Sequence, residues 1–500
     1  MKILSAKQIY EADRATIKSQ AISSTELMER AAFACYEWII KRFPDRSRLF
    51  HVCCGMGNNG GDGLVVSRLL LENGFRVHTH LINFSEHRSD DFKVNLDRLI
   101  EMKALVTEVS GVADFPTIEH GDLVIDAIFG IGLKRSPSGF TKKLIQRINN
   151  SKAGIISLDF PSGLFSASTV TDKEAVIRAN HTLTFQVPKL AFLLPDNQEY
   201  VKEWQVLDIG LDKDYLNSAD CLYHGSDLEL NKGFYKVRKK FSHKGSFGHS
   251  LLIGGSFGKI GAMVLASRAA LKAGSGLVST YIPKCGYTAM QSTNPEVMVE
   301  VDDENYIQYF NFKTNPTAIG LGPGLGTHLK TKKGFVDFFS NCKAPMVIDA
   351  DGLNIIAEFS DLSELIPENT ILTPHPKEFE RLVGKWHDDY AKLDKLLAYS
   401  QQHNCVVVLK GAYTAIAHQG KVWFNMSGNP ALATAGSGDV LTGIITALLS
   451  QGYTSLEASL LGVYIHGRTA DLAVEENESI ESFSATDAID YLGRVYKEFV

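Results

Sequence analysis

The seven cysteines of this 500-residue sequence include no Cys-x-x-Cys pair, which argues against a disulfide framework or a zinc site and favours a reducing cytoplasm. No apolar run approaches the roughly 20 residues of a membrane-spanning helix, and the opening Met1-Lys2-Ile3-Leu4-Ser5-Ala6-Lys7-Gln8 has no signal-peptide core. There is no basic excess. A net charge of -6 gives no reason to expect nucleic acid or an anionic membrane as partner. Low-complexity tracts and solenoid periods are also missing. What remains is an ordinary globular composition, 44% hydrophobic and 22% charged, in a chain long enough for about two to four domains.

Short apolar runs alternate with helical patterns from the start. Leu49–Cys54, Phe75–Ile82, Leu123–Ile128, Gly154–Leu158 and His181–Phe185 read as buried strands, with Leu64–Glu72 and Asp91–Glu101 as helices between them. That rhythm predicts a Rossmann-like α/β domain with its ligand at the carboxyl ends of parallel strands. Residues 212–240 are polar and weakly periodic and end in the basic run Lys236-Val237-Arg238-Lys239-Lys240. They place a domain boundary near 215–230, with the basic run as a solvated linker face. A second α/β series follows, with strands at Ser250–Ile253, Leu277–Thr280, Ala318–Leu321, Met346–Asp349, Ile371–Thr373 and Val406–Lys410. Ala262–Ala273 and Val440–Leu449 read as its helices. The expected domains are 1–215 and 225–500.

The chemistry-bearing residues sit where strands end. Asn429-Pro430-Ala431-Leu432-Ala433-Thr434-Ala435-Gly436-Ser437-Gly438-Asp439 runs into an apolar helix expected to begin at or near Gly438-Asp439. Unpaired N–H groups and the macrodipole make such a start a phosphate site. Asp439 there is either a base for an attacking hydroxyl or a plain helix cap. The segment 54–63 carries five glycines in ten residues, with Asn58, Asn59 and Asp62 among them; it is not expected to be a Gly-x-Gly-x-x-Gly turn and lacks the Lys-Ser/Thr of a P-loop. Asp126 and Asp159 each close a strand, and oxygen ligands from Asn59, Asp126 and Ser162 suit a hard monovalent cation. In the second half, Gly320–Gly326 permits close backbone approach. His375 stands between prolines, and Lys410 sits at a strand tip, suited to phosphates.

Together these motifs resemble one family along nearly the whole chain, the bifunctional NAD(P)H-hydrate repair enzymes. These fuse an NAD(P)H-hydrate epimerase to an ADP-dependent, ribokinase-like NAD(P)H-hydrate dehydratase. The amino half matches at 24–31, 57–63, 126–133 and 158–163, and the carboxyl half at 245–255, 266–278, 320–326, 349–354, 373–378, 409–414 and 429–443. The resemblance implies that Asn58, Asn59, Gly60, Gly61 and Asp62 hold the hydrated dinucleotide of the epimerase site. Gly130, Ile131, Gly132, Leu133, Lys134, Arg135, Ser136 and Asp159 complete that pocket, and Asn59, Asp126 and Ser162 bind K⁺. It further implies that Ala262, Gly324, His375 and Asp439 meet the hydrate in the dehydratase. Lys410, Gly411, Ala412, Tyr413, Thr414 and Gly438 hold the adenine nucleotide with Mg²⁺. Three positions depart from the family habit: Ile131 and Ser437 where threonine is common, and Ala32 where glycine is.

On that reading the substrates are NADHX and NADPHX, the C6-hydroxylated forms of NADH and NADPH, with ADP as co-substrate and AMP and phosphate as products. Asp439 deprotonates the C6 hydroxyl for attack on the β-phosphate, and Asp159 is the favoured proton carrier of the epimerase. Family members form homo-oligomers. The rivals are a ribokinase-like small-molecule kinase, and a dehydratase whose amino half only senses dinucleotide.

Overall fold

The computed structural model describes residues 1–500, the side chain of Ser360 excepted. The chain folds as two compact units. One is Lys2–Cys221 with the short segment Asp388–Tyr390; the other is Leu222–His387 and Ala391–Val500 with Met1.

The amino unit holds a seven-stranded sheet in the order Val106–Val109, Arg76–Ile82, Leu49–Cys54, Leu123–Ala127, Gly154–Leu158, Ala179–Phe185, Val201–Leu207. Every pairing is parallel. The central strands Leu49–Cys54 and Leu123–Ala127 are buried almost throughout. This is why they appear as predominantly apolar runs, interrupted only by His51 and Asp126: helices cover both faces of a parallel sheet. Strand order runs outward in both directions from Leu49–Cys54, so the crevice between that strand and Leu123–Ala127 is the topological switch point where such sheets bind ligands. Two helices precede the sheet, Ala6–Gln20 and Ser24–Arg42. Each begins with a capping box, Ser5 with Gln8 and Ser23 with Glu26.

The sheet of the carboxyl unit runs Tyr223–Ser226, Lys421–Asn425, Ala415–His418, Val406–Leu409, Ile371–Leu372, Met346–Ile348, Ala318–Leu321, His249–Ile253, Leu277–Ile282, Met298–Val301. Its pairings are parallel except the two made by Ala415–His418. His249–Ile253 lies between Leu277–Ile282 and Ala318–Leu321, which makes it the switch strand of this unit. The helix Ser437–Ser450 is buried from Val440 to its end. It packs in one apolar cluster with helix Ile260–Lys272 and strand residues Leu252, Ala318 and Val347.

Two expectations need correction. The first amino-unit helix after the glycines begins at Asn58, not Leu64, so the polar residues Asn59 and Asp62 are already helical. The polar stretch 212–240 is no featureless linker. It forms helices Lys213–Ser218 and Leu228–Lys232, and its strand Tyr223–Ser226 pairs with Lys421–Asn425. Within the basic run, Lys236 lies over the Tyr453 ring and Arg238 over Phe247. No helix among the described residues is long and apolar enough to cross a membrane.

Candidate functional site

In the amino unit, Leu49–Cys54 runs through Gly55-Met56-Gly57 into the helix Asn58–Glu72. The expectation that this segment is not a Gly-x-Gly-x-x-Gly turn is wrong: Gly55-x-Gly57-x-x-Gly60 has the spacing of a dinucleotide-binding turn. The glycines divide by role. A Cβ on Gly60 would lie 1.7 Å from the Gly55 carbonyl oxygen, so Gly60 allows the helix to close onto the turn. Gly57 caps the helix, is exposed, and has nothing within 4 Å of where a Cβ would sit. The open end of this helix start is therefore at Gly57-Asn58.

Asp126 closes the neighbouring strand and is fully buried. Its Oδ2 accepts from the Ser157 hydroxyl at 2.7 Å and the Ser162 N–H at 2.9 Å. Its Oδ1 accepts from the Ser162 hydroxyl at 2.5 Å and the Ile128 N–H at 3.3 Å. Burial still raises its carboxyl above the usual range, against the lowering effect of these bonds. Asn59 donates its amide to the Phe129 carbonyl at 3.0 Å, which leaves Asn59 Oδ1 buried with no hydrogen-bond partner. Asn59, Asp126 and Ser162 are thus joined through Phe129, whose N–H donates to Ser162 Oγ at 2.8 Å. Gly130 lies against Asn59, and Tyr10 stands over Gly132. Ile131 is buried in an apolar cluster with Phe160 and Tyr200, while Gly132, Lys134 and Arg135 are exposed.

Asp159 follows the strand Gly154–Leu158 at φ 56°, a left-handed conformation that marks a strained strand end. Its Oδ1 accepts from Thr184 Oγ1 at 3.1 Å and faces Lys189 Nζ at 3.3 Å. Lys189 is buried and also donates to Thr184 Oγ1 and to the carbonyls of Phe185 and Val187. Burial lowers its ammonium, with Asp159 and Asp13 pulling it back up. Asp13 is pushed up to about 6 by burial and by Asp159, offset by Lys189. Burial raises Asp62 well above the carboxylate range, with Asp159, Asp13 and Asp91 adding to it. Lys189, Asp13 and Tyr10 had no pattern that marked them in the sequence.

In the carboxyl unit, Asp349 lies one residue past the buried strand Met346–Ile348, near the carboxyl end of a central strand as Asp126 is in the amino unit, where it is the last residue but one of its strand. It is 2% exposed. Asp349 Oδ1 accepts from Lys410 Nζ at 2.8 Å, and Oδ2 from the Thr442 hydroxyl at 2.7 Å. A Cβ on Gly322, at φ 120°, would lie 1.9 Å from the Asp349 carbonyl, so only glycine lets the Gly320–Gly326 turn pass that strand end. Burial pushes the Lys410 ammonium down. Asp349, Glu378 and Asp439 outweigh that and hold it above its ordinary value. Lys410 is therefore a paired charge at the strand tip and not a solvated edge.

The helix after the Asn429 loop starts at Ser437, next to Gly438-Asp439 as expected, and is capped by Gly436. Asp439 is consequently not its cap but a first-turn residue. Its carboxyl is pushed up to about 6 by burial and by Asp349, against Lys410. A side chain on Gly438 would stand 3.5 Å from Lys410 Nζ, and one on Gly324 would stand 3.3 Å from the Ala262 Cβ. His375 caps the helix Pro376–Val383: its Nδ1 accepts from the Lys377 and Glu378 N–H groups, and its Nε2 lies 3.3 Å from Glu378 Oε1. Thr414 folds the turn after Lys410 by hydrogen-bonding Gly411. The strand-end lysine, the buried Asp349 and the helix start with Asp439 form one charged cluster.

Two family descriptions match the chain: YjeF-related protein N-terminus over residues 24–191, and NAD(P)H-hydrate dehydratase over residues 250–494. The Bifunctional NAD(P)H-hydrate repair enzyme of Moorella thermoacetica is 33% identical over 99% of this chain and 97% of that protein. The one from Escherichia coli is 33% identical over 98% and 93%. Among solved structures, the ADP/ATP-dependent NAD(P)H-hydrate dehydratase from Bacillus subtilis, co-crystallized with ATP/Mg²⁺, is 30% identical. It covers 55% of this chain and 99% of its own, with a TM-score of 0.48.

Proposed function

Because the chain belongs to the family of bifunctional NAD(P)H-hydrate repair enzymes, we propose that it interconverts R- and S-NAD(P)HX and dehydrates the S form to NAD(P)H, consuming ADP. Residues 1–215 carry the epimerase and 225–500 the dehydratase. The observation that carries the dehydratase reading is Asp439, a carboxyl held near 6 in the first turn of a helix, beside Lys410 and Asp349. A base poised just below neutral pH takes the C6 hydroxyl proton as that oxygen attacks the β-phosphate of ADP. The N–H groups at the start of the helix Ser437–Ser450 and the Lys410 ammonium stabilise the charge that develops on phosphate. AMP leaves, the ring nitrogen lone pair expels phosphate from C6, and loss of a C5 proton restores the dihydronicotinamide. Mg²⁺ supplies charge neutralisation to the nucleotide phosphates. Among the described residues no three His, Cys, Asp or Glu converge in this unit. This fits an ion carried in by phosphates and not one caged by protein.

In the epimerase, Asn59, Asp126 and Ser162 would hold potassium. The donor set is all oxygen, and the unpartnered, buried Asn59 Oδ1 is the atom that such an ion would satisfy. The ion would offset negative charge near the substrate. Asp159, restrained by Lys189 and Thr184, moves the proton at the C6 oxygen. Asp159→Ala should slow R-to-S conversion and spare dehydration of the S form. The dehydratase is tested by product analysis with S-NADPHX: AMP and phosphate should appear in step with NADPH. ADP made from ATP together with a stable phosphorylated product would identify a kinase instead. We further propose that the protein works as a cytoplasmic homo-oligomer.

A further inference from the structure

Away from both charged clusters, three imidazoles share one face of the amino-unit sheet. His51 lies directly opposite His78 on the neighbouring strand, and His80 is two residues further along. His51 and His80 are buried; His78 is half-exposed. One ring nitrogen from each lies within 4.8 Å of the others. The His51 and His80 rings are nearly coplanar, at 14°, with His51 Nδ1 and His80 Nε2 3.0 Å apart. The outer nitrogens are engaged: His51 Nε2 with Asp122 Oδ2 at 3.2 Å, and His80 Nδ1 with Thr107 Oγ1 at 2.9 Å. Thr107 Oγ1 also lies 3.2 Å from His78 Nε2.

We infer that His51, His78 and His80 form a binding site for a divalent transition ion of the zinc class. Two nitrogens on a tetrahedral ion with Zn–N of about 2.0–2.1 Å stand about 3.3 Å apart, so the 3.0 Å pair needs only a small opening. Ligating histidines characteristically anchor their second nitrogen on a carboxylate or other polar group, which fixes the tautomer and turns the lone pair inward. Asp122 does this for His51 and Thr107 for His80. Without the ion, a proton occupies the gap: Asp122 accepts from His51 Nε2–H, so His51 Nδ1 must accept from His80 Nε2–H. On binding, His80 shifts its proton to Nδ1, and Thr107 turns from donor to acceptor. No net proton is released. Burial lowers the basicity of all three rings, and in His78 and His80 the neighbouring imidazoles add to this. The ligands are therefore neutral at working pH. His78 is the route of entry and leaves a fourth position for water. The ion would tie the strand that leads into the Gly55 turn to its neighbour.

The test uses the full-length chain, stripped with chelator and free of nucleotide, titrated with Co²⁺ and then Zn²⁺. About one equivalent of Co²⁺ should bind with the intense visible bands of a four-coordinate site and be displaced by Zn²⁺. Zinc should also raise the melting temperature. His80→Gln should abolish both effects. Asp122→Asn, which touches no ion, should weaken zinc about 10- to 100-fold. If His80→Gln does not fold, His78→Ala at the half-exposed ring carries the test. Equal zinc uptake by wild type and His78→Ala would place binding elsewhere and overturn the site. So would the lack of any zinc-dependent shift in the wild type.

Discussion

Both units end a buried central strand with an aspartate beside a glycine-bordered helix start, yet they satisfy that aspartate in opposite ways. Asp126 is surrounded by neutral donors, two serine hydroxyls and two backbone N–H groups. Asp349 is bound to an ammonium, Lys410, together with one hydroxyl and the Ala350 N–H. A neutral cage leaves a buried negative charge to be met by a mobile cation. A fixed lysine supplies positive charge that also meets phosphate. On the proposed function, a similar strand-end position would serve a cation site in one unit and a phosphate-transfer site in the other.

The largest effect that can break this comparison is on the dehydratase base. Asp439→Asn should lower turnover about 10²- to 10⁴-fold while leaving nucleotide affinity and epimerisation near wild type, measured by isothermal titration and R-to-S exchange. Next comes stability. Asp349→Asn removes the nearest counter-charge of the Lys410 ammonium, leaving the more distant Glu378 and Asp439, and should lose about 3–5 kcal/mol. Asp126→Asn keeps the shape among neutral donors and should lose about 1–3 kcal/mol. Urea titration of each variant compares the two, and equal losses would erase the distinction.

The pH dependence sharpens it further. Asp439 must be ionised to act, so the acid limb of kcat/KM should fall through about pH 6 and disappear in the variant. For stability the signs oppose within the amino unit. Asp13, raised to about 6, stabilises at low pH and loses that contribution as pH rises through about 6. The histidines, lowered in the fold, contribute above their unfolded value near about 6.5 and lose it as pH falls below. Thermal melts of His80→Gln against wild type across roughly pH 5–7 should show the His80 part of this dependence removed. The smallest effect separates the glycines. Gly60→Ala should destabilise by about 1–3 kcal/mol through overpacking. Gly57→Ala should leave the melt unchanged and affect only the epimerase.

Legibility in the sequence followed burial. Leu49–Cys54, Gly154–Leu158 and Ala318–Leu321 were readable to the residue because both faces are covered and the run is predominantly apolar. The strands Ala415–His418 and Lys421–Asn425, inside the carboxyl-unit sheet, went unread despite their burial; the other unread strands Val106–Val109, Val201–Leu207, Tyr223–Ser226 and Met298–Val301 lie at or beside sheet edges. There one face meets solvent and polar residues interrupt the run, as in Val201-Lys202-Glu203-Trp204. The carboxylates Asp126 and Asp159 stood out because a charge at the end of an apolar strand has few other reasons to be there. Their partners did not. Lys189 reaches Asp159, and Lys410 reaches Asp349 across 61 positions, only because the sheet order brings those strand ends together. Likewise His51, His78 and His80 form a cluster only through parallel register.

The most direct measurement follows the near-ultraviolet absorbance of reduced nicotinamide after the protein is added to an R/S mixture of NADPHX with ADP, Mg²⁺ and K⁺. Two complementary sites on one chain predict full recovery of NADPH, faster than the unaided epimerisation allows. A rise that stops at the S fraction would contradict the amino-unit site, and no rise at all would contradict the account as a whole.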